Sequence, residues 1–178
     1  MVLYSIQDKT KDSFLRNGVI IDTSVILEIM RGVVSTQRKS TDTTGWKAEY
    51  EKIITLLELL RINDWKKFFL TPHILTETCS RINMDYNKDD DFEDVAKKIV
   101  SIVESSEEHH VLKKEFLGCV AYQANMKLEP GDLSIYALAD NFAKEKKKVA
   151  ILANDEGFSS RYRTNPYIMV IDCRMVSV

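Results

Sequence analysis

Chain breakers are scarce in this sequence. Six glycines and three prolines in 178 residues make about 5% of the chain against ~12% in average usage. Long uninterrupted elements follow, and helices should dominate. Cysteine is scarce too. Cys79, Cys119 and Cys173 lie far apart with no C-x-x-C among them, and an odd number closes no disulfide framework, so a reducing compartment is expected. The stretch from Met1 to Asp8 turns polar too early for a signal-peptide core. No apolar run approaches the roughly 20 residues that span a bilayer, so a cytoplasmic protein with no membrane partner is expected. A charge excess is also missing: 25 Lys+Arg against 27 Asp+Glu give a net charge of −2. No global field draws the chain to nucleic acid, and any polyanion must be met by local basic groups or metal ions. Neither G-x-x-x-x-G-K-[ST] nor G-x-G-x-x-G occurs, which removes support for a nucleoside-triphosphatase or a dinucleotide enzyme. Internal repeats and low-complexity tracts are absent. What remains is an ordinary soluble composition, 44% hydrophobic and 29% charged, at a length that suits one domain.

The apolar runs are short and lack internal polar alternation. Gly18-Val-Ile-Ile-Asp22 reads as a buried strand, and Thr23-Ser24 opens a helix through Met30. Residues 31–45 lose periodicity and fill with Ser, Thr and basic groups, which predicts an exposed, mobile loop. Trp46, Tyr50, Ile53, Ile54, Leu57 and Leu60 recur at spacings of three and four, predicting an amphipathic helix. Lys67 to Leu70 reads as a strand, and Thr71-Pro72 as the cap and first position of a helix through Arg81. Residues 87–91 read as a polar turn and Phe92 to Ser105 as a further helix. Glu115 to Met126 reads as another, and Pro130-Gly131-Asp132 opens one that ends in Lys144 to Lys148. Val149 to Ala153 and Tyr167 to Ile171 complete the strands. Alternation of this kind predicts a three-layer α/β/α sandwich around a mostly parallel, Rossmann-like sheet. Residues 1–17 are expected to form an N-terminal extension to a domain spanning 18–178.

Ligands of open α/β sheets bind beyond the carboxyl ends of the strands. Four acids fall there: Asp22 after the first strand, Glu77 in the second turn after the Thr71-Pro72 cap, Asp132 at a helix start, and Asp155 after the Val149 to Ala153 strand. Taken singly, an Asp beside a helix start is an ordinary N-cap, and Glu77 with Arg81 is an ordinary i,i+4 pair. Converging in one crevice, four carboxylates would raise each other's pKa until a cation neutralised them. Hard oxygen ligands call for Mg²⁺ or Mn²⁺, and such an ion can drive hydrolysis of a phosphodiester. His109-His110 lacks zinc geometry and reads as exposed histidines. Cys79 and Cys119, within apolar helical patterns, read as core.

The motifs Val19-Ile-Ile-Asp-Thr-Ser-Val25, Thr71-Pro-His-Ile-Leu-Thr-Glu77, Gly131-Asp-Leu-Ser-Ile-Tyr-Ala137 and Ala150-Ile-Leu-Ala-Asn-Asp155 occur in this order. Together they resemble those of the PIN-domain ribonucleases, a family that includes toxin nucleases of toxin-antitoxin pairs. The resemblance spans roughly residues 18–172. It implies a PIN-like fold and catalytic metal ligands at Asp22, Glu77, Asp132 and Asp155. It also implies Mg²⁺- or Mn²⁺-dependent cleavage of RNA that leaves a 5′-phosphate. Ser24 would orient Asp22, bond to the metal shell or simply cap the helix, and Asn154 would hold a metal-bound water or shape its turn. An antitoxin-like inhibitor and homodimerisation are family-level expectations. Ala153 stands where the family often carries Thr, and the chain exceeds compact toxin members in length. Arg81 and Arg161, neighbours of the acids in sequence, are the RNA-contact candidates. The alternative is a non-catalytic RNA-binding or scaffold protein on the same fold. A phosphotransfer Asp is disfavoured because Thr23 and Ser24 follow Asp22 without a further acid.

Overall fold

In the computed structural model, residues 11–37, 46–86, 92–122, 128–154 and 156–175 are described. Among them five strands form one sheet: β1 (Val19–Ile21), β2 (Phe68–Leu70), β3 (Glu107–Glu108), β4 (Val149–Ala153) and β5 (Ile168–Asp172). Their order is β3-β2-β1-β4-β5, and every pairing is parallel, with Val19 opposite both Phe68 and Ala150. The apolar runs explain this placement. β1, β2 and β4 are buried throughout, which a continuous Val/Ile/Leu/Phe run suits and an alternating one would not. β3 has two exposed residues, a length that blunts an open sheet edge.

The helices are α1 (Lys11–Leu15), α2 (Thr23–Gln37), α3 (Trp46–Leu59), α4 (Pro72–Tyr86), α5 (Phe92–Ser105), α6 (Lys113–Tyr122), α7 (Pro130–Lys144) and α8 (Glu156–Tyr162). They flank the sheet as the outer layers of an α/β/α sandwich. No helix among the described residues is long and apolar enough to cross a membrane. The chain starts its sheet at β1, builds β2 and β3 to one side, and returns to add β4 and β5 on the other. The point where this order reverses, between β1 and β4, is the crevice at which open α/β sheets hold ligands.

Several expectations need correction or refinement. The predicted mobile loop at 31–45 is helical over 31–37, because α2 continues to Gln37; residues 38–45 lie outside the described residues. A Cβ at Gly32 would overlap the Cβ and Cγ of Tyr50, so this glycine marks a close approach of α3 to α2 and not a helix end. The Thr36 hydroxyl meanwhile donates to the Gly32 carbonyl one turn back at 2.8 Å. Gly32→Ala is therefore expected to destabilise the fold by about 1–3 kcal/mol, as overpacking does, despite Ala's better helix propensity. A lowered urea midpoint would show it, and an unchanged or raised one would refute the packing role.

In the expected N-terminal extension, residues 1–10 lie outside the described residues, whereas α1 docks on the domain. Leu15 is in the core, Lys148 Nζ sits 4.9 Å from the Phe14 ring centroid, and the Asn17 amide donates to the Lys148 carbonyl at 2.7 Å. The predicted polar turn at 87–91 also lies outside the described residues. Cys79 is exposed, not core: α4 buries Ile74, Thr78 and Ile82 at a spacing of four, and position 79 falls off that stripe. His109 is half-buried, its ring 4.3 Å from that of Phe69.

Candidate functional site

Asp22 is the first residue past β1. Its N–H donates to the Leu152 carbonyl of β4 at 3.0 Å, which continues the ladder and fixes the residue between the two strands. Its carbonyl accepts from the Val25 and Ile26 N–H groups at 3.1 and 3.2 Å, so the same residue begins α2. One carboxylate oxygen accepts a short hydrogen bond from the Ser24 hydroxyl. Asp22 is buried, at 8% exposure, with a carboxylate oxygen bonded to Ser24.

A buried chain of hydroxyls brings the starts of α4 and α7 together. Thr71 caps α4, its Oγ1 accepting from Ile74 N–H at 3.3 Å. The same oxygen lies 2.6 Å from Ser134 Oγ, and Ser134 donates to the Gly131 carbonyl at 2.7 Å. Both hydroxyl residues are fully buried, so each hydrogen bond has little water to compete with it. Sequence reasoning used Thr71 only as a cap and missed Ser134, whose buried position in α7 is the signal for a cross-helix partner.

Glu77, in the second turn of α4, thereby meets the first turn of α7. Its Oε2 would overlap a Cβ on residue 131, and Thr23 Oγ1 lies 3.7 Å from where that Cβ would stand. Glycine at 131 is what lets this carboxylate settle there. Burial raises the Glu77 pKa to about 7, helped by a side-chain hydrogen bond with Glu129 and by the negative charges of Glu129, Asp22 and Asp132. Glu77, Asp22 and Asp132 thus share one electrostatic neighbourhood. Glu129, absent from the motif reading, belongs to it as the residue that precedes Pro130 at the start of α7.

The raised Glu77 pKa fixes the sign of a pH effect. A carboxyl with a pKa of about 7 in the fold and 4.5 unfolded binds its proton more tightly when native. Its contribution to stability is complete below pH 4.5 and is lost as pH rises towards 7. In chelator, Glu77→Gln should therefore gain stability relative to the parent between pH 4.5 and 7.5. Parallel urea midpoints across that range would sink the assignment.

The remaining sites fall as follows. Arg81 does not make the expected i,i+4 pair; its guanidinium lies 3.8 Å from Glu129 Oε1, with both side chains about half exposed. Arg161 donates to Asp140 at 2.8 Å, and its guanidinium carbon lies 4.6 Å from the Tyr136 ring centroid. Asp140 stands eight residues along α7 from Asp132, about 12 Å at the helical rise. Arg161 is thus committed to a polar cluster away from the acids. It lines a separate cavity of about 730 Å³ with Lys114, Cys119, Asp140 and Lys144, and none of the candidate acids among the described residues lines it. Asn154 follows β4 and is half-buried. Asp155 lies outside the described residues.

The donors suit a hard divalent cation in chemistry: carboxylates held close enough to oppose one another's ionisation, with a buried Thr23 hydroxyl that has no partner among the described residues. They are not a closed ligand set as they lie. Among the described residues no three His, Cys, Asp or Glu side chains are placed to hold a metal ion. Asp22 turns to Ser24 and Glu77 to Glu129 instead.

No protein-family model matches the chain, and no curated protein matches it. Among solved structures it is similar to the crystal structure of VapBC2 from Rickettsia felis bound to a DNA fragment from their promoter. That similarity covers 86% of this chain and 96% of that one, at 13% sequence identity and a TM-score of 0.48. A likeness that low carries no weight for either fold or site, which stand on the strand order and the contacts above.

Proposed function

We propose that the protein is a Mg²⁺- or Mn²⁺-dependent endoribonuclease whose metal ligands are Asp22, Glu77, Asp132 and Asp155. The observation that carries this reading is the seat of Glu77 over Gly131, which brings an acid of α4 to the first turn of α7 beside Asp132. Asp22 enters the same neighbourhood from the sheet's switch point. The four motifs quoted from the sequence supply the reaction class. Asp155, in the last of them, is proposed as the fourth ligand on sequence alone.

A divalent cation bound there supplies Lewis acidity towards a phosphodiester and towards water. The chain's own residues do the rest. Ser24 fixes the Asp22 carboxylate, and the Thr71–Ser134–Gly131 relay fixes the approach of α4 to α7. Arg81, beside Glu129 at the rim, is the basic residue best placed to meet a phosphate. Arg161 is not proposed for that role, being engaged with Asp140.

A second reading, a non-catalytic RNA-binding or scaffold protein, draws on the absence of a closed ligand set among the described residues. One experiment separates the two. End-labelled single-stranded RNA is incubated with the protein in Mg²⁺, in Mn²⁺ and in EDTA, and the product ends are typed. Metal-dependent internal cleavage leaving 5′-phosphates is expected. RNA retention without turnover in either metal would favour the scaffold.

A further inference from the structure

We propose that Glu129 is an additional metal-ligating residue, sharing a divalent cation with Glu77. This rests on the metal-dependent reading above and adds a carboxylate outside its four motifs. Glu129 occupies the N-cap of α7 with extended backbone, yet its side chain makes no capping hydrogen bond. The usual reason for an acid at that position is therefore missing. Its carboxyl contacts that of Glu77, and Arg81 lies 3.8 Å from its Oε1 on the outer side. Two carboxyls meeting at a crevice wall, one of them steadied by a guanidinium, form a paired oxygen donor of the kind hard cations take.

An independent observation points to a ligand at the same corner. Thr23 is only 4% exposed, and its hydroxyl has no hydrogen-bond partner among the described residues. That oxygen lies 3.7 Å from the position a Cβ on residue 131 would take, a position that Glu77 Oε2 crowds from its own side. Buried hydroxyls are rarely left unpaired, and this one shares the Gly131 corner with the Glu77 carboxyl. A cation or its coordinated water would satisfy it. Arg81 then acts as a positioning residue, holding Glu129 in place without touching the ion.

The competing account is an exposed ion pair between Glu129 and Arg81 with no part in metal binding. Free Mn²⁺ is measured by electron paramagnetic resonance during titration of the full chain as wild type, Glu129→Gln and Asp22→Asn, with melts in EDTA to verify folding. Glu129→Gln is expected to weaken Mn²⁺ binding about tenfold or more, in the range of supporting metal-site groups. Wild-type affinity in Glu129→Gln alongside lost binding in Asp22→Asn would overturn the role of Glu129 and leave the metal site standing. Absence of Mn²⁺ binding by the wild type would overturn both. Should Glu129→Gln fail to fold, Arg81→Gln replaces it: weakened binding supports the proposal and an unchanged Kd overturns it.

Discussion

Asp22→Asn is expected to remove the stabilisation that Mn²⁺ or Mg²⁺ gives the wild type and to lower RNA cleavage by about 10²–10³-fold, the usual cost of one preorganised electrostatic group. The substitution is nearly isosteric, and Asn is as good as Asp at a helix start, so α2 should form as before. The Ser24 hydroxyl can still donate to an amide oxygen in place of the carboxylate oxygen that accepts it in the parent. What changes is charge. One of the acids that opposes ionisation of Glu77 disappears, so the metal-free variant should melt at or above the parent temperature. With metal, the wild type should gain about 1.4 kcal/mol for each tenfold excess over Kd, and the variant little or nothing. Melts in EDTA and across a metal titration, paired with a cleavage assay, read both effects. Equal metal shifts in the two proteins would mean that Asp22 is only the start of a helix.

The parallel sheet, covered on both faces, follows from features plain in the sequence. Val19–Ile21, Phe68–Leu70 and Val149–Ala153 are apolar on both faces, and only a sheet covered on both sides buries such runs. Asp22 stood out because it follows such a run, Asp132 because it opens a helix, and Glu77 because it lies in the second turn after the Thr71-Pro72 cap. The misreadings have physical causes. Residues 31–37 read as loop for their Ser, Thr and basic content, yet α2 continues through Gly32, whose missing side chain makes room for Tyr50, and a contact between distant residues leaves no local signal. Arg161 seemed near the acids because it closely follows Asp155 in the chain. α8 instead directs it to Asp140, a partner 21 residues away. Glu129 was hidden by Pro130-Gly131, which reads as helix-opening chemistry; its contact with Glu77 depends on how α4 packs against α7. Ser134 was hidden for the same reason, as a small polar residue whose partner Thr71 is 63 positions distant. Local patterns thus located most of the elements, whereas the contacts around the candidate acids arise from packing.

Gly131→Ala should separate stability from function. Alanine is favoured over glycine in a helix by up to about 1 kcal/mol, and position 131 lies in the first turn of α7. A Cβ there would make ordinary contacts with Glu77 Cδ at 3.5 Å and Thr23 Oγ1 at 3.7 Å but would overlap Glu77 Oε2. The obstructed atom is the end of a flexible side chain, so Glu77 can turn away through its staggered rotamers at small cost. Leaving its buried seat, it would also lose the burial and the neighbouring charges that lift its pKa. Three results are therefore expected together. The metal-free variant melts at or slightly above the parent temperature, its stability falls less steeply between pH 4.5 and 7, and its affinity for Mn²⁺ drops by about 10–100-fold, as when a metal-site group is displaced. A purely structural glycine would give a lower melting temperature without a selective loss of metal binding. Parent-like Mn²⁺ affinity in a folded variant would show that the seat of Glu77 over residue 131 is irrelevant to the metal, and with it the observation on which the nuclease reading stands.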